Sequence, residues 1–160
     1  MQGLSMTINR LYFMQHGLAV DKTENPERPL SVPGIEQTRL VAAQLYKQQV
    51  TISKIFHSRK LRASQTAKIV ADELHLTTLS AVDYLSPNSE ISITSQFLDT
   101  DSALYIGHLP HLDKLTSHLI AGDENRNLVH FQNSAILCIA RATSRYQLQW
   151  YLTPALLTHY

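Results

Sequence analysis

The stretch Leu11-Tyr12-Phe13-Met14-Gln15-His16-Gly17 decides the fold class of this chain. Its four apolar residues, followed by a polar pair and a glycine, predict a buried strand that runs into a turn. Two further segments repeat the arrangement, because the predicted strand 54–57 leads to Ser58 and the predicted strand 103–106 leads to Gly107-His108. Each of these strands therefore ends next to a polar side chain.

Amphipathic helices are predicted between these strands. Apolar residues keep helical spacing from Ile35 to about Gln48, directly after Pro33-Gly34. Ser58 is the expected N-cap of a second helix that buries one face, and Pro110 suits the first turn of a third. The remaining predicted elements are a weak strand at 76–82, a short helix at 90–98 and two closing strands at 134–141 and 146–152.

Strands that alternate with helices predict a three-layer α/β fold, in which a mostly parallel sheet carries helices on both faces. A length of 160 residues, 44% hydrophobic and 17% charged, is typical of one globular domain, here residues 1–160. Ligands of such sheets bind at the carboxyl ends of the strands. We therefore expect His16, the segment 58–62 and His108 to converge in one crevice.

Composition excludes several classes of function. The net charge of +1, from 14 basic and 13 acidic residues, leaves no broad electrostatic surface for nucleic acid or anionic lipid. Cys138 is the only cysteine, which excludes a disulfide scaffold, and its apolar run 135–140 favours a structural thiol over a nucleophile. Because residues 1–10 lack the apolar core of a signal peptide and no apolar segment is long enough to span a membrane, a cytoplasmic protein is expected.

Four sequence motifs occur in order along the chain. They are Phe13-Met14-Gln15-His16-Gly17, Arg28-Pro29-Leu30-Ser31 with Gly34 after it, the segment 58–66 (SRKLRASQT), and Ile106-Gly107-His108-Leu109-Pro110. Together they resemble the signature motifs of the histidine phosphatase (phosphoglycerate mutase-like) superfamily, and the last resembles the second-histidine motif of its SixA branch. The resemblance covers nearly the whole chain and implies the phosphoglycerate mutase-like fold.

The resemblance also implies a covalent mechanism in which His16 takes up a phosphoryl group. A neutral imidazole can attack phosphorus, since its ordinary pKa leaves it largely unprotonated near pH 7. Arg62 matches a pocket arginine and His108 matches the second histidine, which donates to a phosphoryl oxygen. No metal or other cofactor is required, because guanidinium and imidazolium groups supply the positive charge.

Gln15 stands where the family signature has an arginine. Its amide can still donate to a phosphoryl oxygen, but losing one charged contact typically costs about 3 to 4 kcal/mol, a rate factor of about 10² to 10³. Arg59 replaces the usual proline after Ser58, and it either partly replaces the missing guanidinium or points to solvent. Arg28 either reaches the mouth of the pocket or forms a loop salt bridge. Ser58 completes the predicted phosphate-binding set.

Other polar residues match no catalytic position. The remaining histidines form no metal-ligand spacing and are expected to be surface or packed residues: His57, His75, His111, His118, His130 and His159. Among them His111 follows His108 closely enough to line the entrance of the pocket. Glu90 is the one weak candidate for a general acid in the stretch 84–90.

Three functions remain open from the sequence. The first is a phosphohistidine phosphatase of SixA type, with activity weakened by Gln15, acting on a phosphoprotein or another labile phosphoramidate. The second is a non-catalytic domain that binds phosphate or a partner, which Gln15 favours. The third is a phosphatase for small phosphate esters. None of the three involves nucleic acid or a membrane.

Overall fold

A computed structural model describes residues 9–158 of the chain. Its strands are β1 (Arg10–Gln15), β2 (Lys54–Ser58), β3 (Leu79–Val82), β4 (Ala103–Gly107), β5 (Ile136–Arg141) and β6 (Tyr146–Leu152). Its helices are α1 (Val32–Lys47), α2 (Leu61–Leu74), α3 (Ile91–Ser95) and α4 (His111–Ala121), with a 3-10 turn at Pro154–Leu156. Of the predicted histidines, His159 lies outside the described residues.

The six strands form one sheet in the order β3-β2-β4-β1-β5-β6. Strands β1 to β4 pair in parallel, whereas β5 pairs antiparallel with both β1 and β6. The predicted mostly parallel sheet is therefore confirmed, with β5 as the strand that runs the other way. In this register Gln15 at the end of β1 lies opposite Gly107 at the end of β4.

Helices cover both faces of the sheet, and the sheet separates two layers of the hydrophobic core. One layer packs α1 and α2 against alternate sheet residues such as Tyr12 and Met14. The other packs α3 and α4 against the intervening residues, such as Leu11 and Phe13. This alternation follows from the period-two side-chain direction of a strand, and it confirms the predicted three layers.

Two predicted helix starts are wrong. Helix α1 begins at Val32, before the Pro33-Gly34 pair, because Ser31 caps it by accepting a hydrogen bond from the backbone N–H of Gly34 at 3.1 Å. Proline is well tolerated in a first turn, where its missing N–H has no intrahelical acceptor. Ser58 is not the N-cap of α2: it is the last residue of β2, and Lys60 occupies the cap position.

The thiol of Cys138 is fully buried in β5, and burial raises its pKa to about 11. A thiol in that state is protonated at neutral pH and is a poor nucleophile. Helices long and apolar enough to cross a membrane are not found among residues 9–158.

Candidate active site

Three adjacent parallel strands bring the predicted site residues to one edge of the sheet. β2, β4 and β1 are consecutive in the sheet, so their carboxyl ends lie side by side. Ser58 ends β2, His108 directly follows β4, and His16 directly follows β1. The backbone N–H of His16 donates to the carbonyl of Gly107 at 3.1 Å, which joins the ends of β1 and β4.

His16 is held in one tautomer by its own backbone. Its Nδ1 lies 2.7 Å from the carbonyl oxygen of Gly17. Because a carbonyl only accepts hydrogen bonds, Nδ1 carries the proton and Nε2 presents a lone pair. The side chain is only 8% exposed. Nε2 is therefore the ring nitrogen of His16 whose lone pair could act as a nucleophile.

Two further residues fix the backbone around His16. Asn133 Nδ2 donates to the carbonyl of His16 at 3.1 Å, and the N–H of Gly17 donates to Thr66 Oγ1 at 2.9 Å. A Cβ on Gly17 would lie 2.7 Å from Thr38 Oγ1, so only glycine fits this turn. Neither Asn133 nor Thr66 was among the predicted site residues. Thr66 lies within the 58–66 motif, whereas nothing in the sequence singles out Asn133.

Arg62 lies in the first turn of α2 and approaches His16 directly. Its Nε donates to His16 Nε2 at 3.3 Å. The guanidinium is half-buried, and burial is the main cause that lowers its pKa, followed by the nearby charge of Arg28. The arginine thus sits where an oxygen bound to phosphorus on Nε2 would meet a fixed positive charge.

His108 completes the cluster, which we call the His16–Arg62–His108 cluster. Its ring centroid lies 4.9 Å from that of His16, and it is only 2% exposed. Nε2 of His108 is hydrogen-bonded to Ser58 Oγ at 2.8 Å. Within residues 9–158, Nδ1 of His108 has no hydrogen-bond partner although it is buried.

Both histidines of the cluster are neutral at physiological pH. Burial lowers the pKa of His16 to about 4, with smaller contributions from the charges of Arg62 and Arg28, while the Gly17 hydrogen bond opposes the shift. Burial also lowers the pKa of His108 to about 3, and the neighbouring groups His16, Arg62 and Lys60 act in the same direction. The fixed positive charge near the cluster therefore comes from arginine and lysine, whereas guanidinium and imidazolium together were expected.

Arg28 lies close enough to act on the cluster. It adopts a positive φ of 50°, and its Nε donates to the carbonyl of Val20 at 3.1 Å. Its charge contributes to the lowered pKa of both His16 and Arg62. The charge of Arg28 also acts on Asp21 in the same loop, but no salt bridge joins Arg28 to an acidic side chain within residues 9–158, which favours the pocket mouth over a loop salt bridge.

Arg59 is not brought to His16. Its Nε forms a salt bridge with Asp83 Oδ1 at 2.5 Å, and its side chain is 63% exposed. The reason lies in the sheet: Ser58 pairs with Val82 across β2 and β3, so the residues that follow them, Arg59 and Asp83, leave the sheet side by side. The structure therefore gives no support to Arg59 as a substitute for the missing arginine.

Gln15 ends β1 on the α3 and α4 side of the sheet, and its side chain is half-buried. Its Oε1 is buried, and no residue between 9 and 158 donates a hydrogen bond to it. The position where the family signature has an arginine thus holds a neutral side chain whose Oε1 is a buried acceptor without a donor among residues 9–158.

The remaining polar candidates from the sequence, His111, Glu90 and the other histidines, are not part of the His16–Arg62–His108 cluster. His111 is buried at the start of α4, where its Nε2 is hydrogen-bonded to Thr94 Oγ1 at 2.8 Å, and burial lowers its pKa to about 4. Glu90 is exposed at the N-cap of α3.

The other histidines are divided between the interior and the surface. His57 is buried, whereas three other histidines are exposed: His75, His118 and His130. Within the described range, no group of three or more His, Cys, Asp or Glu side chains is arranged to hold a metal ion.

Comparison with known proteins identifies the family. Residues 11–85 match the histidine phosphatase superfamily (branch 1). Over 122 residues the chain is 33% identical to the phosphohistidine phosphatase SixA of Escherichia coli (strain K12), an alignment that covers 71% of this chain and 76% of that protein. The chain therefore belongs to the histidine phosphatase superfamily.

Solved structures agree with this assignment. The structure of the protein histidine phosphatase SixA complexed with tungstate superposes with a TM-score of 0.83 at 29% identity, covering 93% of this chain and 99% of that one. The alpha-ribazole phosphatase from Shigella flexneri superposes with a TM-score of 0.70 at 16% identity, covering 88% and 94%. The second similarity is one of fold alone. Both support the predicted phosphoglycerate mutase-like α/β architecture.

Proposed function

We propose that this protein is a phosphohistidine phosphatase of SixA type, which transfers a phosphoryl group from a phosphohistidine in a protein to Nε2 of His16 and then to water. The observation that carries the proposal is the state of that atom: Nδ1–H is bound to the Gly17 carbonyl, and the lone pair of Nε2 faces the Arg62 guanidinium. The names of the SixA relatives support the choice of substrate.

The first step forms one bond and breaks another. Nε2 of His16 attacks phosphorus, and the bond from phosphorus to the substrate nitrogen breaks with its electron pair going to that nitrogen. Arg62 moves its hydrogen bond from Nε2 to a phosphoryl oxygen, and a proton on His108 stabilises another oxygen as charge spreads over them. Water then attacks the phosphorus on His16, and the bond from phosphorus to Nε2 breaks with its electron pair returning to Nε2. The protons of the water stay on the phosphate oxygens, so inorganic phosphate is released and the neutral imidazole is restored.

The leaving group explains why a nitrogen-bound phosphoryl group suits this site better than an alkyl ester. A phosphoimidazole that carries a proton on its ring leaves as neutral imidazole and needs no acid from the protein. An alkyl ester leaves as an alkoxide and needs a general acid. The candidate acid Glu90 is exposed at the start of α3 and makes no side-chain hydrogen bond within the described residues. The small-ester reading therefore lacks a positioned acid.

One observation favours a second function, a non-catalytic domain that binds phosphorylated partners. Gln15 leaves a neutral side chain with an unsatisfied Oε1 at the signature position of the family's arginine. If the absence of an arginine at position 15 prevents turnover, the positive charges of Arg62 and Arg28 still attract a phosphoryl group.

The test compares two peptides of the same sequence that differ in the residue carrying the phosphoryl group, so that phosphorus is bound to nitrogen in one and to oxygen in the other. The pure protein is incubated with a peptide that carries phosphohistidine and, separately, with a matched phosphoserine peptide, and released phosphate is measured against the His16→Ala variant. We expect release from the phosphohistidine peptide alone, and only with His16 present. Binding of the phosphohistidine peptide without release supports the binding domain, and equal release from both peptides supports an ester phosphatase.

A further inference from the structure

The hydrogen bonds of Ser58 bear on which nitrogen of His108 carries the proton. A serine hydroxyl offers one hydrogen and two lone pairs. The backbone N–H of Lys60 donates to Ser58 Oγ at 3.3 Å and so occupies one lone pair. The contact of 2.8 Å between Ser58 Oγ and His108 Nε2 then has two possible directions.

The two directions differ in how many buried groups they leave unsatisfied. If Nε2–H donates to Ser58, the serine hydrogen has no acceptor within residues 9–158, and Nδ1 of His108 is a buried lone pair without a donor. If Ser58 donates to Nε2, the serine hydrogen has its acceptor, and the only donor left without a partner in this pair is the Nδ1–H of His108. Because buried polar groups are seldom left without partners, the second direction is favoured.

We propose that Ser58 is a positioning residue: its hydroxyl donates to Nε2 of His108 and so fixes the proton on Nδ1, where it donates to an oxygen of the phosphoryl group held on His16. The inference rests on the function proposed above. It gives Ser58 a role through His108 instead of the direct phosphate contact predicted from the sequence.

This arrangement suits a histidine that is neutral. Burial keeps the ring of His108 uncharged, so the ring has only one N–H to offer, and the tautomer decides whether that N–H or a lone pair meets the phosphoryl oxygens. With Nε2 engaged by Ser58, Nδ1 is the ring nitrogen left for a ligand. A lone pair there would repel the negative oxygens.

The test is ¹⁵N NMR of the full chain with labelled histidine, in the absence of substrate. The protonated and unprotonated nitrogens of a neutral imidazole resonate at well-separated frequencies. We expect His108 to carry its proton on Nδ1 in the wild type and in His16→Ala, and to become a mixture of tautomers in Ser58→Ala. Ser58→Thr, which keeps a hydroxyl, is expected to restore the wild-type tautomer.

Activity provides the second readout. We expect Ser58→Ala to lower the rate of phosphohistidine hydrolysis by about 10- to 100-fold, as is typical when the residue that orients a catalytic group is removed, and Ser58→Thr to recover most of it. A proton on Nε2 in the wild type, or an unchanged tautomer in Ser58→Ala, overturns the role of Ser58. The NMR measurement needs no turnover, so a protein that shows the expected tautomers but no phosphoryl transfer contradicts the proposed function and not this inference.

Discussion

Arg62 Nε donates to Nε2 of His16 at 3.3 Å, so the cation proposed to bind the phosphoryl oxygens occupies the lone pair of the nucleophile in the resting protein. A substrate must therefore draw the guanidinium from nitrogen to oxygen before His16 can attack. This exchange favours a dianionic ligand over a neutral one, because only the dianion gives the guanidinium a stronger acceptor than imidazole.

The contact between Arg62 and His16 predicts that Arg62→Ala lowers the hydrolysis rate and raises the pKa of His16. Arg62→Ala removes a positive charge that helps to lower the pKa of His16 from its ordinary value to about 4. We expect the pKa of His16, measured by NMR titration, to rise and the hydrolysis rate to fall by about 10² to 10³. Arg62→Lys is the matched control: it keeps the charge, so the pKa of His16 stays low, while the loss of the planar fork still lowers the rate. An unchanged rate in Arg62→Ala excludes this arginine from the reaction.

Gln15→Arg is expected to raise phosphohistidine hydrolysis by about 10- to 1,000-fold. A guanidinium at this position gains most when charge spreads over the equatorial oxygens, so kcat should respond more than substrate binding does. The measurement is steady-state kinetics of Gln15→Arg beside Gln15→Met, which keeps the side-chain length without charge or amide. If Gln15→Arg leaves the rate unchanged, Gln15 is not what limits turnover.

Arg59 and Lys60 form a matched pair of exposed cations with different surroundings. Arg59 is bound to Asp83, whereas the charge of Lys60 acts on His108. We expect Arg59→Ala to change kcat/KM by less than about twofold, in line with the small energies of exposed salt bridges. Lys60→Ala should lower kcat/KM by more than that, and the difference should shrink at high salt, where exposed charges are screened. If Arg59→Ala lowers kcat/KM more than Lys60→Ala does, Arg59 contributes to the active site after all.

Buried neutral histidines predict that stability falls in mild acid. Burial lowers the pKa of His111 to about 4, below the value near 6.5 of an unfolded histidine, so the unfolded chain binds more protons between these two pH values. The contribution of His111 to the free energy of unfolding is therefore fully present above about pH 6.5 and is lost as the pH falls towards 4. His16 and His108 contribute in the same direction.

His111→Gln isolates one part of this effect. We expect the free energy of unfolding, measured with denaturant at several pH values, to depend less steeply on pH in the variant, by up to about 1.4 kcal/mol per pH unit within that window. His118→Gln, on the exposed side of α4, is the matched control for replacing a histidine of this helix. A slope in His111→Gln equal to that of the wild type contradicts a neutral buried His111.

The sequence was sufficient to predict the convergence of His16, Arg62 and His108, because short continuous apolar runs mark strands buried on both faces and parallel strands present their carboxyl ends at one edge. The structure also confirms the layers and most of the elements predicted by the same reasoning. It could not assign Ser58, since a serine between a strand and a helix is an N-cap by local preference and becomes a partner of His108 only through the pairing of β2 with β4.

Contacts between distant segments account for the other differences. Arg59 and Asp83 meet because their strands pair in register, and Asn133 reaches the His16 carbonyl from a loop 117 residues away. His111 binds Thr94 where α4 packs on α3. None of these pairs has a spacing that periodicity or a motif reveals, since each depends on which elements become neighbours in the folded chain.

The most direct test of the central claim is to look for the phosphoryl group on His16 itself. The protein is mixed briefly with ³²P-labelled phosphoramidate, quenched in alkali, where phosphohistidine survives, and digested for mass spectrometry of the labelled peptide. We predict an acid-labile phosphoryl group on Nε2 of His16 that forms and decays within the turnover time and is absent from His16→Ala. Hydrolysis without label on His16, or label on another histidine at wild-type rates in His16→Ala, would contradict the account.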